Sequence, residues 1–175
     1  MVLFPREIRI SRSLTKVLRK GRFRVSVDRC FDAVIEACAS TPRKNQAGTW
    51  ITDAIKAGYG GLHQRSFAHS VETWEGDALV GGLYGVAIGK VFFGESMFAH
   101  ATDASKVALA NLVRHLASHG FELIDCQMRT DHLSSLGARE IPRTTFCAEV
   151  ARLTDNAVAA TPDAAWQGGF LAIDW

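Results

Sequence analysis

The chain has 175 residues, close to half of them apolar, with 20 basic against 18 acidic side chains. That length fits one domain and allows a real core, and the composition excludes a disordered or low-complexity chain. No run approaches the roughly 20 apolar residues of a membrane span, the N-terminus lacks the apolar stretch of a secretory leader, and the four cysteines are scattered with no C-x-x-C pair. A reduced, cytoplasmic compartment is the simplest reading, without a zinc or disulfide framework.

In chain order, Val2 to Ile10 reads as a short extended lead-in. Ser11 is placed to cap a helix. On that helix Leu14, Val17 and Leu18 form an apolar stripe, while Arg12, Lys16, Arg19 and Lys20 share the opposite face. Gly21 stops it. Phe23 to Val27 alternates as a strand does. Asp28 is placed to cap a helix whose Phe31, Val34, Ile35 and Cys38 keep helical spacing. Ser40 to Gly48 is a polar loop. Thr52 caps the next helix, with Ile55, Tyr59 and Leu62 on its inner face. Three strands follow as an antiparallel meander: Ala68 to Trp74, Ala78 to Ile88, and Val91 to Phe93. Asp103 is placed to cap a helix with Leu109, Leu112, Val113 and Leu116 inward, and Gly120 ends it. Phe121 to Gln127 is a strand. Leu133 to Leu136 is a short helix, and Gly137 to Ile141 another extended piece closed by Pro142-Arg143. This order predicts an α/β (α+β) domain over residues 1–153, a mixed and mostly antiparallel sheet with helices on its faces. Residues 154–175, rich in Ala, Gly and Asp, read as a loosely attached tail.

Two stretches carry candidate chemistry. Strand alternation turns Asp125 and Gln127 to one face and Cys126 to the other. A carboxylate beside an amide at the end of an apolar strand needs partners or a task. Glu95 is a second carboxylate inside the apolar run Phe92 to Phe98. Two readings stay open. Glu95 pairs a neighbouring Arg or Lys while Asp125 and Gln127 cap a loop, or the three bind and orient an ammonium group, as suits an amine attacking an activated carbonyl. The set lacks a usual nucleophile. The Arg12, Lys16, Arg19, Lys20 face, continued by Arg22, Arg24 and Arg29, is either a solvated helix face or a track for a phosphate backbone. Trp50 is either core or a surface for stacking a base. Leu83, Phe92, Phe93, Met97 and Phe98 are either core or the lining of an apolar pocket. Gly81-Gly82-Leu83-Tyr84-Gly85 is no phosphate loop; glycines within a strand permit a bulge or close backbone approach. His69, His100 and His132 have no metal-ligand spacing, so no metal is assigned.

Many runs in order closely resemble leucyl/phenylalanyl-tRNA–protein transferases. They include Leu3-Phe4-Pro5, Ile10-Ser11-Arg12-Ser13-Leu14, Gly48-Thr49-Trp50-Ile51-Thr52, His69-Ser70-Val71-Glu72 and Leu79 to Val86. Phe93-Gly94-Glu95-Ser96-Met97-Phe98, Ala104-Ser105-Lys106, Leu123 to Gln127 and Ser135 to Arg143 complete the match, which runs from about Val2 to Glu149. The resemblance implies a GNAT-like core. It also implies transfer of Leu or Phe, with Met as a third candidate, from aminoacyl-tRNA to the N-terminal amine of proteins beginning with Arg or Lys, which marks them for degradation. Within it, Asp125 and Gln127 match the pair assigned to peptide-bond formation and Glu95 an active-site carboxylate. Trp50 matches an aromatic near the tRNA 3′-adenosine. Leu83 and Phe92 match parts of the substrate side-chain pocket, to which Met97 is assigned as a further candidate. The helix carrying Arg12, Lys16, Arg19 and Lys20 matches the surface for the acceptor stem. No cofactor, metal or membrane is implied.

The chain departs from the family pattern in three places. A Trp-rich segment expected before Leu3-Phe4-Pro5 does not precede Met1, Ala99-His100 stand where the family tends to Ser-Arg, and nothing matches after Arg152. Two competing readings follow: an acyl-CoA-dependent N-acyltransferase, which would want a glycine-rich pyrophosphate loop before a helix, and a non-catalytic tRNA-binding remnant.

Overall fold

The computed structural model describes residues 1–42, 48–155, 163–171 and 175. The elements are β1 (Val2–Leu3), a 3-10 turn (Pro5–Glu7), α1 (Arg12–Arg19), β2 (Arg24–Val27), α2 (Phe31–Ser40), α3 (Asp53–Gln64) and β3 (Ala68–Glu75). There follow β4 (Ala78–Ile88), β5 (Val91–Ala99), α4 (Ala104–Ser118), β6 (Leu123–Asp125), α5 (Asp131–Ser135), α6 (Arg143–Thr154), a 3-10 turn (Asp163–Trp166) and β7 (Gly169–Phe170). The strands form one sheet in the order β1-β6-β5-β4-β3-β2-β7. Every pair is antiparallel except β5–β6, which α4 connects as a parallel crossover. The mixed, mostly antiparallel α+β architecture is the one expected. No helix among the described residues is long and apolar enough to cross a membrane.

Strand alternation divides the core between two faces. Leu83 of β4 joins α4's Leu109, Leu112, Val113 and Leu116 on one side. Its neighbour Tyr84 joins Phe31, Val34 and Ile35 of α2 on the other, with Ile55 and Tyr59 of α3 packed against them. The β4 glycines allow close approach. A Cβ on Gly81 would stand 2.6 Å from that of Ala104, so the start of α4 rests directly on the strand.

Several local expectations are corrected. Asp28 does not cap α2. It adopts φ +51°, accepts from the Ser70 N–H at 2.8 Å and bonds the His69 ring at 2.7 Å. The start of α2 is served by the buried Glu72 carboxylate of β3, which accepts from the N–H groups of Arg29 and Cys30. Asp103 has φ +68° and gives α4 no side-chain cap, because its carboxylate holds Lys106 at 2.8 Å. The lead-in pairs as β1 with β6, and β5 runs on to Ala99. Pro142 opens a helix rather than closing a strand. The resulting α6 packs Phe146, Val150 and Leu153 against Val91 and Leu123. Most of the polar loop expected over Ser40 to Gly48 lies outside the described residues.

The described part of the C-terminal segment is docked rather than loose. Trp166 is buried and stacks on His69 with ring centroids 3.9 Å apart. β7 pairs with β2. Leu171 donates its N–H to Val25 at 2.8 Å.

Candidate active site

The site forms where the only parallel pair among the described strands comes apart. β5 and β6 pair over Val91–Phe93 and Leu123–Asp125. β6 then ends, whereas β5 continues along β4. A gap therefore opens at the carboxyl ends of the two strands, the usual place for a ligand beside parallel strands.

Two backbone irregularities furnish that gap with polar groups. The first is a bulge in β5. Tyr84 pairs with Ser96 and Gly85 with Gly94, so Glu95 has no partner on β4. The extra residue re-aims the side chain at that point. It also shifts the alternation, which is why Phe92 and Met97, five positions apart, both reach the α4 side of the sheet. Gly85 is required here, since a Cβ would stand 2.6 Å from the Phe92 ring and closer still to the Phe93 carbonyl.

The second irregularity is the turn after β6. Asp125 and Gln127 do come together, but not by strand alternation. Gln127 has φ +57°, a left-handed conformation uncommon outside glycine, and lies beyond the strand. Its N–H donates to Asp125 Oδ1 at 2.9 Å, closing a side-chain turn. Its side-chain amide nitrogen donates to Glu95 Oε2 at 3.3 Å. The three predicted polar residues thus form one chain, Asp125 to Gln127 to Glu95. Glu95 has no Arg or Lys partner among the described residues, so the reading as a plain ion pair falls away.

Beneath these groups lies a cavity of about 370 Å³. Leu83, Phe92, Met97, Leu109, Leu112 and Ile124 line it, and Glu95, Asp125 and Gln127 stand at its polar end. Cys126 does not point away but lines the cavity too. Burial, and after it the Asp125 charge, pushes its thiol up to about 12, which disfavours the thiolate. Met128, 76% exposed, lies at the rim.

Two further residues were not singled out as site residues from sequence. Tyr59 of α3 lies against Glu95, and its hydroxyl pKa is raised first by burial and then by the Glu95 charge. Its place on the inner helix face was legible, but its reach across to β5 was not. His132 of α5 borders the cavity with its Nε2 buried and without a partner among the described residues. Burial, and then Lys106, lowers its pKa, which favours the neutral ring. Its sequence position carried no signal beyond the absence of metal spacing.

The remaining predicted residues lie elsewhere. Trp50, on the loop before α3, is 41% exposed and does not line the cavity. Arg12, Lys16, Arg19 and Lys20 are exposed on α1, and none has a carboxylate partner among the described residues. The expected continuation of that patch is partly neutralised. Arg22 forms a two-pronged pair with Glu75 at 2.7 and 3.0 Å. Arg24 donates to the Gly76 carbonyl at 2.8 Å and approaches Asp77 at 3.4 Å.

Residues 2–151 match the family described as leucyl/phenylalanyl-tRNA protein transferase. The chain belongs to this family. A leucyl/phenylalanyl-tRNA–protein transferase of Dechloromonas aromatica is 55% identical over 166 residues, covering 95% of this chain and 70% of the relative. One from Pseudomonas fluorescens is 59% identical, covering 91% and 70%. One from Azotobacter vinelandii is 63% identical, covering 83% and 64%. The chain thus spans about two-thirds of the length of these relatives. Leucyl/phenylalanyl-tRNA–protein transferases are aminoacyltransferases, so the cavity belongs to an enzyme fold whose members handle an aminoacyl-tRNA and a protein acceptor.

Proposed function

We propose that this chain transfers Leu or Phe from aminoacyl-tRNA to the N-terminal amine of cytoplasmic proteins beginning with Arg or Lys, marking them for degradation. One observation carries the reading: an apolar cavity closes on a polar end made of Asp125, Gln127 and Glu95, beside a thiol whose ionisation is disfavoured. That end is built to orient reactants rather than to form a covalent intermediate, and orientation alone supplies much of the rate for such a reaction.

The aminoacyl ester arrives activated. The acceptor ammonium loses one proton, its nitrogen attacks the ester carbonyl, and as the C–O bond breaks the second proton lost from nitrogen passes to the leaving ribose oxygen. Gln127 gives its amide N–H to Glu95, which leaves its carbonyl oxygen to accept from the attacking amine. Asp125 fixes the Gln127 backbone through one carboxylate oxygen and has a second oxygen with which to take or relay the proton. Glu95 draws the cationic N-terminus. Leu83, Phe92 and Met97 receive the Leu or Phe side chain, where one methylene is worth about 1–3 kcal/mol. Arg12, Lys16, Arg19 and Lys20 meet the acceptor stem, and Trp50 stacks near its 3′ end.

The acyl-CoA alternative has no support at α4. The run Ser96 to Asp103 before the helix holds no glycine for a pyrophosphate loop, and the residue at the helix start, Asp103, is itself acidic. The deciting assay offers Leu-tRNA or an acyl-CoA with an Arg-starting peptide and weighs the product. A leucylated peptide from Leu-tRNA is expected, and Gln127→Ala should cut its formation at least tenfold while tRNA affinity holds. Unchanged transfer by that variant would refute the role given to Gln127.

A further inference from the structure

The family match ends at residue 151, yet Phe170 and Trp175 beyond it lie against arginines of the basic side of the domain. Arg19 donates its Nε–H to the Trp175 main-chain oxygen at 2.7 Å. The Trp175 indole N–H donates to Asn111 Oδ1 at 3.1 Å, and the Arg114 guanidinium lies 4.5 Å over its ring. β7 pairs with β2 as the last strand of the sheet, so its outer edge is covered by no other described strand. On that edge Phe170 is 43% exposed, with the guanidinium of Arg24 at 4.7 Å and that of Arg29 at 4.9 Å from its ring centroid.

This arrangement differs from an ordinary exposed phenylalanine. Stacking on the rings of Phe170 and Trp175 holds long cationic side chains in place before any partner arrives, which lowers the ordering cost of binding. Arg19 gives up one of five N–H donors and keeps the rest. An aromatic ring among guanidinium groups offers a face for a base and charge for the flanking phosphates. The acidic neighbours, Glu75 and Asp77, are engaged with Arg22 and Arg24. Arg29 has no carboxylate partner for its guanidinium among the described residues and keeps its charge for a polyanion.

We propose that β7 and Trp175 belong to an RNA-docking face, with Phe170 as its stacking surface and Arg19, Arg29 and Arg114 as its phosphate contacts. The face continues the basic side of α1 and extends the tRNA contact onto the C-terminal segment. The choice of RNA as the occupant rests on the transferase reading above, and charge and aromatic chemistry support it.

The test measures binding of deacylated tRNA to the full chain by fluorescence anisotropy at several salt concentrations. Phe170→Ala should weaken binding about tenfold with the salt slope unchanged, because stacking is not ionic. Phe170→Tyr should keep most of the affinity. Arg29→Gln should weaken binding and lower the salt slope by about one. Trp175→Ala should weaken it by removing the ring under Arg114 and, with the indole bond to Asn111 lost, undocking the main-chain oxygen that holds Arg19. Unchanged affinity in Phe170→Ala and Arg29→Gln overturns the proposal, and so does tighter binding in Trp175→Ala, which would make the segment a competitor for the arginines. Peptide transfer by the unmodified chain is scored separately. Absent transfer with Phe170-dependent binding removes the reaction and keeps the docking face; transfer with Phe170-independent binding does the reverse.

Discussion

Replacing Glu95 by Gln isolates the charge at the polar end of the cavity. The variant keeps the side-chain length and an oxygen to accept from the Gln127 amide, so the β5 bulge and the polar chain persist. What it loses is attraction for the acceptor ammonium. Two unit charges about 4 Å apart attract by roughly 4 kcal/mol at the effective dielectric of a protein surface and by about 1 kcal/mol in bulk water. Glu95 is half-buried and has no competing cation among the described residues, so about 2 kcal/mol, or roughly 30-fold, lies between these limits. The loss should fall on the acceptor. KM for an Arg-starting peptide should rise about 30-fold, with KM for Leu-tRNA unchanged and kcat altered much less. Steady-state assays with each substrate varied in turn at saturating levels of the other separate these terms. An acceptor KM within about twofold of the original would refute the electrostatic role. A fall confined to kcat would move Glu95 from binding to proton transfer.

Two further predictions probe the cavity and the scaffold behind it. Met97→Phe narrows the apolar wall, so with Leu-tRNA and Phe-tRNA in competition the Phe product should fall about tenfold relative to the Leu product; an unaltered ratio would place Met97 outside the specificity surface. Glu72 is fully buried, bonded to the Ser26 and Ser70 hydroxyls and to two backbone N–H groups. Burial raises its pKa, and those hydrogen bonds only partly offset the rise. A carboxyl whose folded pKa is raised favours folding while protonated, and loses that contribution as pH climbs from its unfolded value through the folded one. Relative to Glu72→Gln, the native chain should therefore be less stable at pH 8 than at pH 5, as read by urea unfolding at both. Parallel stability curves would show that the four donors hold the group at its ordinary pKa.

The fold was legible wherever periodicity and punctuation agreed. The β3–β4–β5 meander followed from alternation and the turns at Gly76 and Gly89, and α1 and α3 from Ser11 and Thr52, whose hydroxyls do accept from Leu14 and Ile55. Capping failed where a side chain had a better partner. Asp28 is drawn to β3 and Asp103 to Lys106, and a carboxylate distant in sequence, Glu72, takes over at α2. α6 went unread although Phe146, Val150 and Leu153 keep helical spacing, because Pro142 begins it without a polar cap and suggested an ending. The two short strands β1 and β7 carry no periodic signal in two residues each. They exist through pairing with β6 and β2.

The candidate site residues stood out as residue types and through family resemblance, but their geometry was not legible, for one physical reason. Period-two alternation predicts where a regular strand sends its side chains, and both halves of the site depend on leaving that regularity. Glu95 is the unpaired residue of a bulge, and Gln127 sits in a left-handed turn past the end of β6. Each irregularity costs stability locally. Each is held by the other, since the Gln127 amide that the turn presents meets the carboxylate that the bulge turns out. Straightening either one separates the two groups, and straightening the bulge also breaks the alternation that brings Phe92 and Met97 to the same side of the sheet. The polar chain at the mouth is therefore a property of backbone shape as much as of its three side chains.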